Sequence, residues 1–94
     1  MTEFTRVEGG VDKGDVKVFA LSTCVWCRRT KQMLDGFGVR YSYVFVDLLG
    51  GREQDDAMDE MRRWNPSCSF PTIVINDTEV IRGFDEGRIR ELLG

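Results

Sequence analysis

Apolar positions in the first half of the chain change from strand-like to helix-like spacing and back. The run VKVFA at 16–20 is rich in β-branched and aromatic residues, which predicts a buried strand. Thr30, Met33, Leu34 and Phe37 then recur at the spacing of one helix face, which Gly36 or Gly38 closes. Residues 40–49 predict a second strand, with Tyr41, Tyr43 and Phe45 on one face and Val44 and Val46 on the other.

The second half of the chain predicts a helix, a hairpin and a final helix. Residues 52–65 carry an apolar stripe at helical spacing, with acidic residues early and arginines late, as the helix dipole favours. The runs TIVI and EVIR flank the turn residues Asn76 and Asp77, which indicates a hairpin. Residues 85–94 again show helical spacing, and Asp85 is placed to cap the start of that helix.

The predicted order of elements is therefore β-α-β-α-β-β-α. Strands joined through a crossover helix should be parallel, and the terminal hairpin adds antiparallel strands. We therefore expect an α/β fold with a four-stranded mixed sheet flanked by three helices. Residues 1–14 contain glycines and alternating charges and are expected to form a flexible N-terminal arm, in which 4–7 could pair as a short extra strand. Residues 15–94 form the predicted domain.

Composition narrows the classes of function. A chain of 94 residues has room for one domain, and 41% hydrophobic with 31% charged residues is ordinary for a soluble protein. A net charge of -3 argues against nucleic-acid binding, which needs a concentrated basic surface. No apolar stretch approaches the roughly 20 residues of a membrane helix, and the polar N-terminus lacks an apolar signal core. We therefore expect a cytoplasmic protein with no membrane partner.

Two of the three cysteines carry the clearest chemical signal. Cys24 and Cys27 follow the first strand and stand where the first helix begins. Unpaired N–H groups and the helix dipole favour a thiolate at that position, so the first cysteine of a C-x-x-C pair there becomes a nucleophile. Cys27, one turn later, is then placed to resolve the mixed disulfide that Cys24 forms.

Three other interpretations of the cysteine pair remain open. A closed zinc site needs four Cys or His ligands, but the chain has no histidine and one further cysteine, so we predict no metal site. An iron-sulfur cluster shared between two chains needs only part of its ligands from each, and it is the main alternative. The two cysteines could also be reduced residues packed in a core.

Three motifs together resemble the glutaredoxin branch of the thioredoxin-like superfamily. VFALSTCVWC holds the cysteine pair, SFPTIVIND opens the third strand with a proline, and IRGFDE places a glycine after the hairpin. The resemblance covers about residues 15–94. It implies a thioredoxin fold and a monomeric thiol-disulfide oxidoreductase that reduces protein or low-molecular-weight disulfides without a bound cofactor.

The resemblance also implies a substrate groove around Cys24. In the family, the proline corresponding to Pro71 is cis, and the backbone of the residue before it pairs with an extended substrate. Gly83, Phe84 and Asp85 resemble the family's motif for the γ-glutamyl end of glutathione. The residues implied to bind substrate are Thr23, Val25, Trp26, Phe70, Pro71, Gly83, Phe84 and Asp85. Cys68, three residues before Pro71, is either a third redox thiol or a packed side chain.

The sequence departs from the family pattern at three places. Leu21 stands where many glutaredoxins have a lysine that pairs with a glutathione carboxylate, Arg82 replaces the first glycine of a Gly-Gly pair, and Val25-Trp26 replaces Pro-Tyr. These departures weigh against glutathione as the electron donor. The pattern is more similar to glutaredoxin-like proteins of archaea and anaerobes, and to redoxins that serve ribonucleotide reductase. That similarity implies disulfide-containing protein clients and a flavin or iron-sulfur disulfide reductase as donor.

Overall fold

The computed structural model describes residues 3–94 and contains five strands and three α-helices in this part of the chain. In chain order these are β1 (Thr5–Val7), β2 (Val16–Ala20), α1 (Val25–Phe37), β3 (Tyr41–Phe45), a short 3-10 helix (Val46–Leu48), α2 (Gly51–Trp64), β4 (Thr72–Ile75), β5 (Glu79–Arg82) and α3 (Glu86–Leu93). The second predicted strand is thus shorter than residues 40–49, because the chain coils into the 3-10 helix directly after Phe45.

The strands form one mixed sheet in the order β1-β3-β2-β4-β5. The central pair β2 and β3 is parallel, as the crossover through α1 requires, and the other pairs are antiparallel. The predicted α/β architecture is confirmed, but the sheet has five strands instead of four. The additional strand is β1, which pairs with the outer edge of β3 through Thr5 and Tyr43.

Part of the predicted arm is therefore attached to the domain. Besides β1, Val11 forms an isolated parallel bridge with Val39, and the two segments exchange backbone hydrogen bonds of 2.9 Å at Gly38 and Arg40. The first two residues of the arm lie outside the described residues. The boundary between residues 14 and 15 and the flexibility of the arm stay predictions.

The helices cover both faces of the sheet and create two apolar clusters. Alternation along β2 sends Val18 to the face packed by α1 and α3, where Leu34 and Ile89 are fully buried. It sends Phe19 to the opposite face, where α2 contributes the buried Met61. The predicted division of β3 is confirmed, because Tyr41, Tyr43 and Phe45 join the first cluster and Val44 joins the second.

Local sequence explains where several elements end. Helix α1 stops at Gly38, whose φ of 71° belongs to the left-handed region that glycine adopts most easily. Asn76 and Asp77 have φ values of 55° and 52° in the β4–β5 turn, as their residue types favour. Three residues, 76–78, separate the two strands where two were predicted. Within residues 3–94, no helix is long and apolar enough to cross a membrane.

Candidate functional site

Cys24 is the N-cap residue of α1, at the end of the loop that follows β2. Its backbone is extended, with φ -84° and ψ 119°, and its carbonyl accepts the first intrahelical bond from the Arg28 N–H at 3.1 Å. Its Sγ accepts a hydrogen bond from the Cys27 N–H at 3.2 Å. A helix N-terminus thus donates directly to the sulfur, an arrangement that stabilises negative charge. The Cys24 side chain is partly exposed, so a substrate can reach it.

Cys27 lies one turn further along α1, on the side that faces the sheet. It is 0% exposed and belongs to the apolar cluster under α1 and α3. Burial raises the pKa of the Cys27 thiol to about 12, and the hydrogen bond with the Cys24 side chain adds to this effect. The structure therefore brings together an accessible sulfur at a helix N-terminus and a buried, protonated sulfur beside it.

A carboxylate clamps the loop that leads to Cys24. The Ser22 N–H donates to Asp47 Oδ1 at 2.8 Å, and the Ser22 hydroxyl donates to Oδ2 of the same group. Both hydrogen bonds hold the pKa of Asp47 below its usual value, and the bond from the Ser22 hydroxyl has the larger effect. Asp47 lies in the 3-10 helix after β3, so the contact joins two loops at the same end of the sheet. The sequence does not predict this contact, because nothing in the spacing of Ser22 and Asp47 indicates that they meet.

The Pro71 loop and the loop after β5 meet beside the sheet. The Phe70–Pro71 peptide bond is cis. The carbonyl of Pro71 accepts a hydrogen bond of 2.8 Å from the Gly83 N–H. Gly83 has a φ of 76°, a conformation that residues with a Cβ rarely adopt. This bond fixes the start of β4 relative to the start of α3.

Aromatic packing links the start of α1 to the loop after β5. The rings of Trp26 and Phe84 are stacked, with centroids 5.0 Å apart and an interplanar angle of 27°. Trp26 nevertheless remains 53% exposed, and Val25 beside it is also exposed. Asp85 caps α3, since its carboxylate accepts from the Arg88 N–H at 3.1 Å. Trp26 and Phe84, predicted groove residues from the two segments, thus pack against each other, and Trp26 lies two residues along the chain from Cys24.

Cys68 occupies a different environment from the cysteine pair. It has a positive φ of 54°, and its Sγ lies 3.7 Å from the carbonyl oxygen of Pro66. Its side chain packs against the apolar cluster on the α2 side of the sheet, whereas Cys24 packs against the cluster on the α1 side. These contacts fit a packed side chain. A role as third redox thiol stays a prediction.

Asn65, the last residue of the helix predicted over 52–65, organises the loop that leads to Pro71. It is 0% exposed, and its Nδ2 donates to Ser69 Oγ at 2.8 Å and Thr72 Oγ1 at 3.0 Å. Its Oδ1 accepts from the Ser67 N–H at 3.2 Å. One buried amide therefore satisfies polar groups along most of the loop. A lone Asn before a proline gives no sequence signal for burial.

Two residues that depart from the family pattern have defined surroundings. The Arg82 guanidinium donates through Nε to the carbonyl of Trp64 at 3.0 Å, where it satisfies a free carbonyl at the end of α2. Leu21 lines a cavity beside Cys24. Within residues 3–94, no group of three or more acidic or cysteine side chains is arranged to hold a metal ion.

The raised pKa of Cys27 predicts a pH-dependent loss of stability in the reduced protein. The folded state holds the Cys27 proton up to a pH of about 12, whereas the unfolded thiol loses it near 9. The contribution is therefore fully present below about pH 9 and is lost as the pH rises toward 12. Urea unfolding of reduced wild type and Cys27→Ala between pH 8 and about 11 should show a steeper decline for the wild type. Parallel declines would contradict this assignment.

Comparison with known proteins shows similarity over nearly the whole chain. The Glutaredoxin family model matches residues 16–80. Methanoredoxin of Methanosarcina acetivorans is 47% identical, with a TM-score of 0.94 over 100% of this chain and 99% of that one. The glutaredoxin of Methanosarcina mazei Go1 is 53% identical, with a TM-score of 0.87 over 97% and 87%. An uncharacterized glutaredoxin-like 8.6 kDa protein in the rubredoxin operon of Clostridium pasteurianum is 30% identical over 83% of this chain and 96% of its own length.

Proposed function

The chain belongs to the glutaredoxin family of thioredoxin-like proteins, and from this premise we propose that it reduces disulfides through a Cys24–Cys27 dithiol. Membership of the family and the closeness of the two cysteines support thiol-disulfide redox chemistry in general. The observation that carries the specific proposal is the asymmetry of the pair. One sulfur is accessible and accepts a helix N–H, and the other is buried and protonated.

The asymmetry assigns a step to each sulfur. In the first step, the Cys24 thiolate attacks one sulfur of a substrate disulfide, forms a mixed disulfide with it and releases the other half as a thiolate. In the second step, Cys27 gives up its proton to the departing thiolate or to solvent and attacks Cys24 Sγ. The second half of the substrate leaves as a thiol, or as a thiolate where solvent has taken the proton, and a Cys24–Cys27 disulfide remains. The two electrons thus come from the dithiol, and an external thiol or reductase must restore it.

The high pKa of Cys27 suits a resolving thiol. A protonated sulfur is a poor nucleophile, so Cys27 does not compete with Cys24 for substrate at neutral pH. Its burial also excludes large disulfides from direct attack. Once Cys24 carries a substrate, attack within the first turn of α1 is intramolecular and needs no diffusion.

The surroundings of Cys24 support binding of an extended disulfide partner. The Phe70–Pro71 segment directly precedes β4, and we propose that the backbone of Phe70 pairs with a substrate strand there. The exposed side chains of Val25 and Trp26 offer apolar contact area to a partner. We propose protein clients for this surface, with ribonucleotide reductase as one candidate, and a monomer in the cytoplasm as the working form.

The identity of the electron donor can be tested with the dithiol itself. We propose a flavin or iron-sulfur disulfide reductase rather than glutathione, because Leu21 offers no charge to a carboxylate and Arg82 is engaged with the end of α2. Redox titration of the protein should show one two-electron couple, followed through Trp26 fluorescence. We expect a midpoint near or below about -270 mV with slow reduction by glutathione.

Other results of this titration would change the proposal. A midpoint of about -200 to -230 mV with fast reduction by glutathione would replace the proposed donor with glutathione. Absence of any couple that depends on Cys24 would contradict disulfide reduction altogether. Visible absorption and dimer formation after anaerobic reconstitution with iron and sulfide would support the cluster carrier instead.

A further inference from the structure

A small cavity opens beside Cys24 and contains none of the residues of the proposed groove. Its volume is about 230 Å³, and its walls come from the β2–α1 loop, the outward side of α1 and the end of β3. Cys24 itself forms part of the wall. Cys24 is therefore bordered by this cavity, whose lining includes neither Trp26 nor Phe84.

The cavity carries two cations, and an aromatic ring positions one of them. Arg28 and Lys31, one turn apart on α1, both line it. The Lys31 ammonium lies 4.2 Å from the centroid of the Tyr43 ring, a contact that holds the charge in place. Across residues 3–94, neither cation makes an ion pair with a carboxylate. Both charges are therefore available to a ligand.

The remaining walls limit what the ligand can be. Asp35 lines the cavity as well and accepts a hydrogen bond of 2.8 Å from the Tyr41 hydroxyl, so two cations face one carboxylate and the net charge of the wall is positive. Leu21 and Phe45 supply apolar surface. A volume of 230 Å³ holds only about seven or eight waters at roughly 30 Å³ each, and it lies below the usual range for drug-sized ligands. The cavity thus fits a short aliphatic arm that ends in an anionic group.

From this arrangement, which presupposes the proposed disulfide reduction, we infer that the cavity is a substrate subsite for the anionic arm of a small disulfide. The anionic group pairs with Arg28 and Lys31, and the aliphatic arm lies along Leu21. Cys24 then attacks the sulfur to which that arm is attached. A Cys24–sulfur bond forms, the substrate S–S bond breaks, and the other arm leaves as a thiolate.

The subsite can be tested with three small disulfides that have arms of two carbons and differ in the charge of their end groups. Dithiodipropionate is anionic, hydroxyethyl disulfide is neutral and cystamine is cationic. With reduced protein recycled by dithiothreitol at low ionic strength, kcat/KM should fall in that order. Arg28→Gln and Lys31→Gln should each lower the ratio of the anionic to the neutral substrate by about threefold, the size expected for one solvent-exposed charge contact.

Arg29→Gln is the matched control. It removes the same charge from the next residue of α1, but Arg29 does not line the cavity. The substrate ratio should stay at its wild-type value in this variant. An equal loss in Arg28→Gln and Arg29→Gln, or equal kcat/KM for all three substrates in the wild type, would overturn the subsite while leaving disulfide reduction intact. Failure of the wild type to reduce any of the three would overturn the proposed function, and the subsite with it.

Discussion

Replacing Cys24 with serine should reduce disulfide turnover to the uncatalysed background. A serine hydroxyl is not ionised at neutral pH and cannot form a disulfide, so the first step has no nucleophile. The fold should survive, because serine is a preferred N-cap residue and its oxygen can accept the Cys27 N–H that Cys24 Sγ accepts now. Turnover of hydroxyethyl disulfide, with circular dichroism as the folding check, measures this result.

Cys27→Ser serves as the companion variant with a different expected product. Cys24 can still attack, but no thiol resolves the adduct, so a mixed disulfide should accumulate at one equivalent per chain. Intact mass and its reversal by dithiothreitol identify the adduct. Cys27→Ala repeats the test without a buried hydroxyl, since Cys27 is fully buried. Turnover that survives in Cys24→Ser, or an adduct on Cys68 instead of Cys24, would refute the assigned roles.

Replacing Asn65 with alanine should cost about 3 kcal/mol of unfolding free energy. The substitution removes a buried amide and leaves Thr72 Oγ1, Ser69 Oγ and the Ser67 N–H without their Asn65 partner. In a domain of this size, that loss corresponds to a decrease in Tm of more than about 10 °C. Urea denaturation and thermal unfolding of the reduced protein measure both quantities.

Ser69→Ala is the control for this loop. It removes one of the acceptors of Asn65 Nδ2 but keeps the bonds to Thr72 and the Ser69 carbonyl, so it should cost about 1 kcal/mol or less. Similar costs for the two variants would show that the amide is not the organising contact.

Because Asn65 fixes the approach to Pro71, Asn65→Ala should also slow the reduction of protein disulfides more than that of small ones.

The spacing of apolar residues predicted most of the helices and strands, because in each element the buried positions recur with the period of its backbone. The stripe at 30, 33, 34 and 37 marks α1, since one face of that helix is buried, and alternation marks β3, since its two faces join different apolar clusters. Strand β1 was harder to identify, because Thr5 and Arg6 are exposed and only pairing with β3 makes the segment a strand. Such pairing depends on the partner's free edge and not on the segment's own pattern.

The site shows the same division between local and long-range information. Cys24 and Asp85 were placed correctly at helix starts, because capping depends on neighbours within four residues. Asn65 and the Ser22–Asp47 clamp depend on residues brought together by the loops, which no short pattern encodes. The individual substrate roles of Thr23, Phe70 and the other groove residues stay predictions.

Strand β1 protects one edge of the sheet, so removal of the N-terminal residues should affect how the protein associates. It lies outside residues 16–80, yet it occupies the hydrogen-bonding edge of β3. A chain that began at residue 16 would leave that edge open beside Tyr41 and Tyr43, which is the kind of surface through which sheets of separate molecules join and aggregate. The three residues of β1, of which Thr5 and Arg6 are exposed and Val7 is partly buried, thus cover an edge of the sheet that would otherwise be open to a second molecule.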